Sequence, residues 1–600
     1  MLSELEPNLT PSLSLTGARW DLRDVDPSIV KLLSQSLGVG AVVARCMALR
    51  GIAAPEEGDR MLRPDLEALL DPYTMYGMQQ AVDRLRRAVH EQQAIRVVTD
   101  YDVDGTTSSL ILQAALKILG ADKLSYHIPD RFEEGYGFSV AAAEAAAADG
   151  VKLIVTADIG VRDHAAVSRA RELGVDVIIC DHHLPAGADV PIDAHTVLCP
   201  PQARCSYANP ALAACGVSLK LAQALLSDKP FYERILFSML KLAAIGTVAD
   251  VVDLLTPENR AIVALGIQSL NQGPHNPGLT ALLDVSKLEM GQINSSDLGF
   301  RIGPRINAAG RLDSATRVVE LMTTRDPVRA MKIARELDKH NSDRREIQQR
   351  LMTEAMAQVP RGDGAPAFIV AAGPEEEGWH RGVVGIAAGR VRDAFYRPCA
   401  IIAIAGDEAR GSVRSISEVH AVEALASAHD LLIRYGGHPA AAGFSVKPEN
   451  IPALRERLNA SALAQTGGDT PLPRRRVDAA LSPQEVTWRL QRELARLGPH
   501  GKGNPSPKLQ ITGAKVRDLR VLKDRHLKFD LSSGRGQITA IWWRAAEHQA
   551  LLASGRPVDF LGSLEVNVWN GRKSLQFNVE DARAQDDAGL PPEPERHAPL

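Results

Sequence analysis

Cysteine is scarce in this chain, six in 600 residues, and none of the six forms a CxxC pair. That excludes a disulfide framework and a zinc ribbon, and leaves Cys199, Cys205 and Cys215 as ordinary thiols. No apolar run is long enough to span a bilayer. The opening stretch MLSELEPNLTPSLSL lacks the basic start and apolar core of a secretory signal, so a cytoplasmic location is expected. No internal repeat is visible. Positive charge is not in excess either: the formal net charge is −4, which by itself predicts no affinity for a polyanion.

What is present is an ordinary globular composition, 45% hydrophobic and 24% charged. Six hundred residues exceed what one core can organise and imply three or four domains. A helical lead (1–69) precedes a first α/β domain (70–324). Within it IRVV, KLSYHI, KLIVTAD and VDVIIC read as strands alternating with the helices TTSSLILQAALKIL, SVAAAEAAAA and HAAVSRARELG. Short apolar strands separated by helices of about three turns give βαβ units and a buried parallel sheet. A charged helical run (325–360) leads to a second α/β domain (361–464), and QTGGDTPLPRRR reads as a linker. Short strands without a strong helix then predict a small barrel over 477–583, with the OB-fold as the candidate. The Pro- and Glu-rich tail (584–600) is expected to be disordered. Charge is uneven: residues 501–575 hold 13 Lys/Arg against 6 Asp/Glu, a local net of +7, which suits a polyanion footprint or a merely solvated surface.

The stretch VVTDYDVDGTTSS places Asp100, Asp102 and Asp104 at alternate positions, where they repel one another. A solvated turn would not need a third carboxylate. A calcium loop fails, because its twelfth position is Ile111 instead of glutamate and the flank AIRVV is a strand. A divalent cation remains, and the partners it needs are in the chain. The strand ending in TADIG supplies Asp158, VDVIIC runs into Asp181-His182-His183, and AAIGTVADVVDL offers Asp250 and Asp253. Three strands of one parallel sheet would bring the first two groups to one edge. Hard carboxylates with one or two imidazoles suit Mn²⁺ or Mg²⁺, and a cluster of this size could hold two ions clamping a phosphoryl group.

The ordered set DYDVDG, TADIG, DHH and GTVADVV resembles the DHH phosphoesterase superfamily, and within it the bacterial single-strand-specific 5′→3′ DNA exonucleases. IPDRFEEGYG, GPRINAAGRLD, GWHRGVVGIAAGRV, GSVRS, GGHPAAAGF and LGPHGKGNPSP extend the likeness over about residues 70 to 580. The resemblance implies a DHH domain and a DHH-associated α/β domain around a cleft, joined by a long helix, with a C-terminal OB-fold. It implies a two-metal site of Asp100, Asp102, Asp104, Asp158, Asp181, His182 and Asp250, with His183 as ligand or support. Arg131, Arg305, Arg311, Ser412 and Arg414 match segments that hold the 5′ phosphate and strand backbone, and Gly436, Gly437 and His438 should face the metals. Arg305 and Arg311 could instead pair with carboxylates, and His380 could be a packing residue. The chain departs from the family pattern at Val98-Thr99, where some members carry His-Gly, at Ile159, and at Asp253, where proline is usual.

In the expected barrel, Trp542, Trp543 and Trp569 fall among Lys523, Arg525, Lys528, Arg572 and Lys573. Aromatic faces on a basic OB sheet stack single-stranded bases, although a small barrel needs large side chains and should bury at least one tryptophan. The reading is a metal-dependent exonuclease that degrades single-stranded DNA to 5′-mononucleotides in recombination and repair. By resemblance it works as a monomer beside a single-strand-binding protein and a helicase. A DHH enzyme for short oligoribonucleotides or nucleotide bisphosphates and an inactive replication scaffold are the alternatives.

Overall fold

The computed structural model describes residues 13–585, apart from 132–133, 186, 188, 313, 361–364, 535 and 570 and the side chains of 311–312. The expected disordered tail lies, from 586 on, outside the described residues. Two compact units form: Val25–Asn341 with Arg492–Ser506, and the remainder.

The first unit is built on a five-stranded parallel sheet. Its spatial order is Leu124–His127, Ile95–Thr99, Leu153–Ala157, Asp176–Cys180 and Thr196–Leu198. The strands Leu153–Ala157 and Asp176–Cys180 are buried along almost their whole length, which is why they read as continuous β-branched runs rather than alternating ones. Helices Val103–Leu119, Val140–Ala148 and His164–Glu172 supply the crossovers. Helices Ala214–Leu226 and Tyr232–Ala249 pack against Val103–Leu119 in the main core, and the second strand lies on one side of the first while the third lies on the other. The winding direction therefore reverses between Ile95–Thr99 and Leu153–Ala157, and beyond their carboxyl ends a crevice opens.

A 31-residue helix, Pro327–Ala357, covers the charged run. In the second unit a mixed sheet of order Leu432–His438, Ala441–Val446, Glu408–Arg414, Cys399–Ala405 and Ile369–Pro374 carries helices Val384–Phe395 and Ile451–Gln465. The C-terminal strands Leu509–Leu522, His526–Ser533, Gly536–Trp542, Val558–Trp569 and Arg572–Ala584 close on themselves, because Leu509–Leu522 also pairs with Val558–Trp569. This closed five-stranded barrel is the expected OB-fold. Its longest strand, Leu509–Leu522, escapes a reading by periodicity: Gly513 and Asp518 take φ values of 57° and 50°, and the register shifts near both.

Two expectations need correction. Among the described residues the lead is not wholly helical: Arg19–Leu22 is a strand paired in parallel with Arg474–Val477, which begins inside the expected linker. Trp20 decides this, since its ring packs with Val477 and Leu561 and its indole N–H donates to Asp581 at 2.9 Å in a buried position. Helices Pro27–Leu37, Ala41–Ala48 and Pro55–Leu62 follow. No helix among the described residues is long and apolar enough to cross a membrane.

Candidate metal centre

The five carboxylates are set by the ends of four elements. Asp100 follows Ile95–Thr99, and Asp102 is the N-cap of Val103–Leu119, its Oδ1 accepting from the amides of Asp104 (2.8 Å) and Gly105 (3.0 Å). The helix thus starts three residues before the apolar run predicts, because the second aspartate of the motif caps it. Gly105 is needed for close approach: a Cβ there would lie 2.4 Å from the carbonyl oxygen of Asp100. Asp104, the second residue of that helix, is fixed at the N-terminus of Ala214–Leu226, its two oxygens each accepting one amide, from Ala214 (2.7 Å) and Cys215 (2.8 Å), which leaves each oxygen a lone pair for a cation. Asp158 follows Leu153–Ala157 in the left-handed region (φ 63°), and its amide donates to Cys180 at 3.0 Å. Asp250 terminates helix Tyr232–Ala249.

His182 ties these together. Its Nε2 lies 3.2 Å from Asp158 Oδ1 and 3.9 Å from Asp104 Oδ2, and its Nδ1 lies 3.6 Å from Asp250 Oδ2. Three ligand triads result: Asp158, His182 and His183; Asp104, His182 and Asp250; and Asp100, Asp102 and Asp158. Asp181 belongs to none of them. Its Oδ1 accepts from the amides of His182 (2.7 Å) and His183 (3.1 Å) and from His183 Nδ1 (2.8 Å), and its Oδ2 accepts from Val161 (3.0 Å). Asp181 therefore orients the imidazole of its neighbour, and the expectation that it shares in ligation is corrected on that ground. His183 points its Nε2 at the Tyr136 hydroxyl oxygen, 3.2 Å away, and that hydroxyl donates its proton to the Asp158 carbonyl at 3.3 Å. Tyr136 escaped the sequence reading as a site residue; its only signal was its place in EEGYG.

The electrostatics explain why such a cluster needs something more. Burial, then the charge of Asp102, pushes the Asp100 carboxyl up to about 7. Burial, then Asp104 and Asp102, pushes Asp250 up to about 8. Burial and the surrounding aspartates raise Asp158 well above the ordinary carboxylate range, and Asp102 is raised for the same reasons. For Asp181 burial acts upward too, but the hydrogen bonds from His183 and the backbone outweigh it and hold the group low. Asp100 Oδ1 and His182 Nε2 are moreover buried without a hydrogen-bond partner, a costly arrangement unless a cation completes it. Oxygen donors with one or two imidazoles fit Mn²⁺ or Mg²⁺ and not a thiolate-seeking ion.

The other expected site residues separate. Arg131 lies over the Tyr101 ring, 5.1 Å from its centroid, and its charge acts on Asp100. Arg305 is buried, its Nε 2.9 Å from Asp338 and its Nη1 2.6 Å from the Arg301 carbonyl. Its guanidinium is committed to the long helix, and the expected phosphate contact is corrected. The Arg311 side chain lies outside the described residues. Arg414 donates to Ser412 Oγ at 3.0 Å, and no carboxylate partner of Arg414 occurs among the described residues. Gly436, Gly437 and His438 are exposed on the edge strand Leu432–His438. His380 accepts from the Gly382 amide at 3.0 Å, in keeping with a local packing role.

In the barrel, Trp543 and Trp569 are exposed while Trp542 is buried and stacks on His548 with centroids 4.7 Å apart. One tryptophan is thus buried as expected, and the base-stacking role for Trp542 is corrected: it ends the strand Gly536–Trp542 facing the core, while Trp543 lies in the turn that follows. Lys523 and Arg525 occupy the loop between the first two barrel strands, and Trp569 and Arg572 border the loop between the last two. These are the loops with which OB-folds grip oligonucleotides.

Three family models match in the order the domains fall: the DHH family N-terminal domain over residues 94–247, the DHHA1 domain over 365–463 and the RecJ OB domain over 477–581. The single-stranded-DNA-specific exonuclease RecJ of Bacillus subtilis is 35% identical over 573 residues, covering 95% of this chain and 71% of its own. Its namesake from Dickeya dadantii is 35% identical over 90% of this chain and 95% of its own. The chain belongs to the RecJ family. Among solved RecJ structures, that from Thermus thermophilus in complex with Mn²⁺ superposes with a TM-score of 0.79 at 31% identity, covering 95% of this chain and 80% of that one. The same RecJ has also been solved with Mg²⁺, and these two ions are the ones the donor set here suits.

Proposed function

We propose that this protein is a metal-dependent 5′→3′ exonuclease that degrades single-stranded DNA to 5′-mononucleotides in recombination and repair. The observation that carries this reading is the meeting of five carboxylates and His182 at the reversal point of the parallel sheet, in a chain of the RecJ family. Asp100, Asp102, Asp104, Asp158, His182 and Asp250 would hold Mn²⁺ or Mg²⁺; one triad shares His182 with the second and Asp158 with the third, which supports two neighbouring ions. When bound, such ions supply an acidified water and offset charge on the phosphoryl group. The chain's own residues do the rest. Backbone amides fix Asp104, Asp181 orients His183, and Tyr136 caps the outer nitrogen of that imidazole.

Polarity needs donors for the 5′ end of the strand: Arg131 in the first unit and, in the second, Ser412 and Arg414 are the proposed phosphate contacts, with the glycine backbone at 436–437 open to an anion. Trp543 and Trp569 would stack bases, with Lys523, Arg525, Lys528, Arg572 and Lys573 meeting phosphates. A monomer acting in the cytoplasm, with a helicase and a single-strand-binding protein as partners, completes the proposal. The alternatives are disfavoured: a basic barrel is superfluous for dinucleotides, and a dead scaffold would not keep the whole acidic cluster.

The test uses purified protein, Mn²⁺ or Mg²⁺, and DNA oligomers labelled at either end, beside Asp158→Ala. Nucleotide loss from the 5′ end of single strands, absent in the variant, supports the reading. Digestion of only the shortest RNA oligomers would replace it.

A further inference from the structure

Between helix Trp488–Ala495 and the barrel strand at Leu509 the chain folds onto the first unit as a tightly held loop. The buried Arg260 donates to the carbonyls of Met61 (2.8 Å) and Leu497 (2.9 Å) and to that of Gly498. Asn504 donates to the carbonyls of Leu497 (2.7 Å) and Pro499 (2.8 Å) and accepts from Arg50 (2.6 Å). Gly501 closes the turn on the Asn504 carbonyl at 2.9 Å, and Ser295 Oγ donates to the His500 carbonyl at 2.8 Å. So many bonds on so few residues fix the backbone at folding, and no ordering cost remains to be met when a ligand arrives.

What this rigid loop presents is Lys502. The Leu254 amide donates to the Lys502 carbonyl at 2.9 Å, four residues from Asp250. The side chain is exposed, has no ion-pair partner among the described residues, and lies close enough for its charge to act on the Asp250 carboxylate. Asp250 is the open side of the centre, its side chain 24% exposed against 1% for Asp104 and 4% for Asp158. Asp253 supports the loop from below. Its Oδ1 accepts from the Leu255 amide at 2.8 Å and sits 1.8 Å from where a Cβ on Gly503 (φ 75°) would be. The aspartate that stands in place of the family's usual proline is therefore matched to a glycine of the loop.

We infer that Lys502 is a substrate-contacting residue, whose ammonium takes a phosphate of the incoming strand at the mouth of the site beside Asp250. This rests on the reading of the chain as a single-strand DNA exonuclease. A polyanion approaching a wall of aspartates meets repulsion, and one fixed cation at the rim offsets it where the strand must pass.

The experiment is steady-state cleavage of a 5′-phosphorylated DNA oligomer by full-length protein in Mn²⁺, at several salt concentrations, for wild type, Lys502→Ala, Lys502→Glu and Lys502→Arg. For Lys502→Ala the KM should rise roughly fivefold with kcat little changed, and the slope of log(kcat/KM) against log[salt] should shrink by about 0.7, the value for one phosphate contact on a single strand. Lys502→Glu should be worse, and Lys502→Arg should restore both readings. Gly503→Ala, which displaces the loop while keeping the charge, should raise KM in the same direction. Unchanged KM and salt slope in Lys502→Glu, with an active wild type, would overturn this inference alone. A shift in the Mn²⁺ concentration for half activity, with KM for DNA unmoved, would overturn it in favour of a purely electrostatic role on Asp250. A wild type that leaves single-stranded DNA intact would overturn the functional reading and this inference with it.

Discussion

The metal centre and the barrel handle charge in opposite ways. In the centre, five carboxylates converge in a space from which water is largely excluded, so burial and mutual repulsion raise the proton affinity of Asp100, Asp102, Asp158 and Asp250, and the folded chain holds them against their preference. On the barrel, Lys523, Arg525, Lys528, Arg572 and Lys573 stand apart on exposed loops and strand edges, where solvent screens them from one another. The difference teaches where function is bought with stability. A site that must bind a divalent ion tightly has to concentrate ligands that destabilise the empty protein. A surface that must slide along a polyanion can spread its cations at almost no cost.

The sharpest way to break that comparison is Asp158→Asn. Activity should fall by about a thousandfold or more, since a shared ligand is weakened, whereas the metal-free protein should melt at a higher temperature because one buried repulsion is gone. A calorimetric scan in chelator beside the rate assay checks both, and a lower melting temperature would mean that the hydrogen bonds of Asp158 outweigh the repulsion it suffers. The next contrast lies within the barrel. Trp542→Ala should cost about 3–5 kcal/mol of folding stability by leaving a cavity. Trp543→Ala and Trp569→Ala should each leave stability nearly unchanged and weaken single-strand binding by about 1–3 kcal/mol. Denaturant titration and fluorescence anisotropy separate the two outcomes, and equal effects at all three positions would remove the distinction between packing and stacking.

The smallest expected effect is the pH response of the metal-free protein. Asp100 and Asp250 have folded-state values of about 7 and about 8, above the ordinary 3.8. The folded chain therefore holds more protons than the unfolded chain between about pH 4 and pH 8, and stability falls as pH rises through that window. Melting temperatures in chelator should decline by a few degrees from pH 6 to pH 8.5, and added Mn²⁺ should restore more at the upper end. A flat profile would show that the empty cluster relaxes open.

Much of this was legible in order. The βαβ alternation and each strand-end carboxylate could be read from β-branched runs that stop at Asp100, Asp158 and Asp181, because a parallel sheet buried on both faces leaves that signature. The lead strand Arg19–Leu22 was not legible, since four residues show no period and its partner strand lies at 474–477. Arg305 looked like a phosphate ligand because arginine offers the same fork to a phosphate and to Asp338. Only the packing of helix Pro327–Ala357 chooses between them.

The sequence by itself determined the chemistry: which residue types occur, in which order, and at which strand ends, and hence a divalent-metal phosphoesterase with a basic barrel. These are local properties, written in periodicity and in the caps that stop each element. Tertiary structure decided the assignments between residues that local pattern treats alike. It set Asp181 against the imidazole of His183 and Asp104 within reach of His182, turned Trp542 inward and Trp543 outward, and set Lys502 beside Asp250 from far along the chain. Such choices depend on burial and on long-range hydrogen bonds, which no stretch of neighbouring residues encodes.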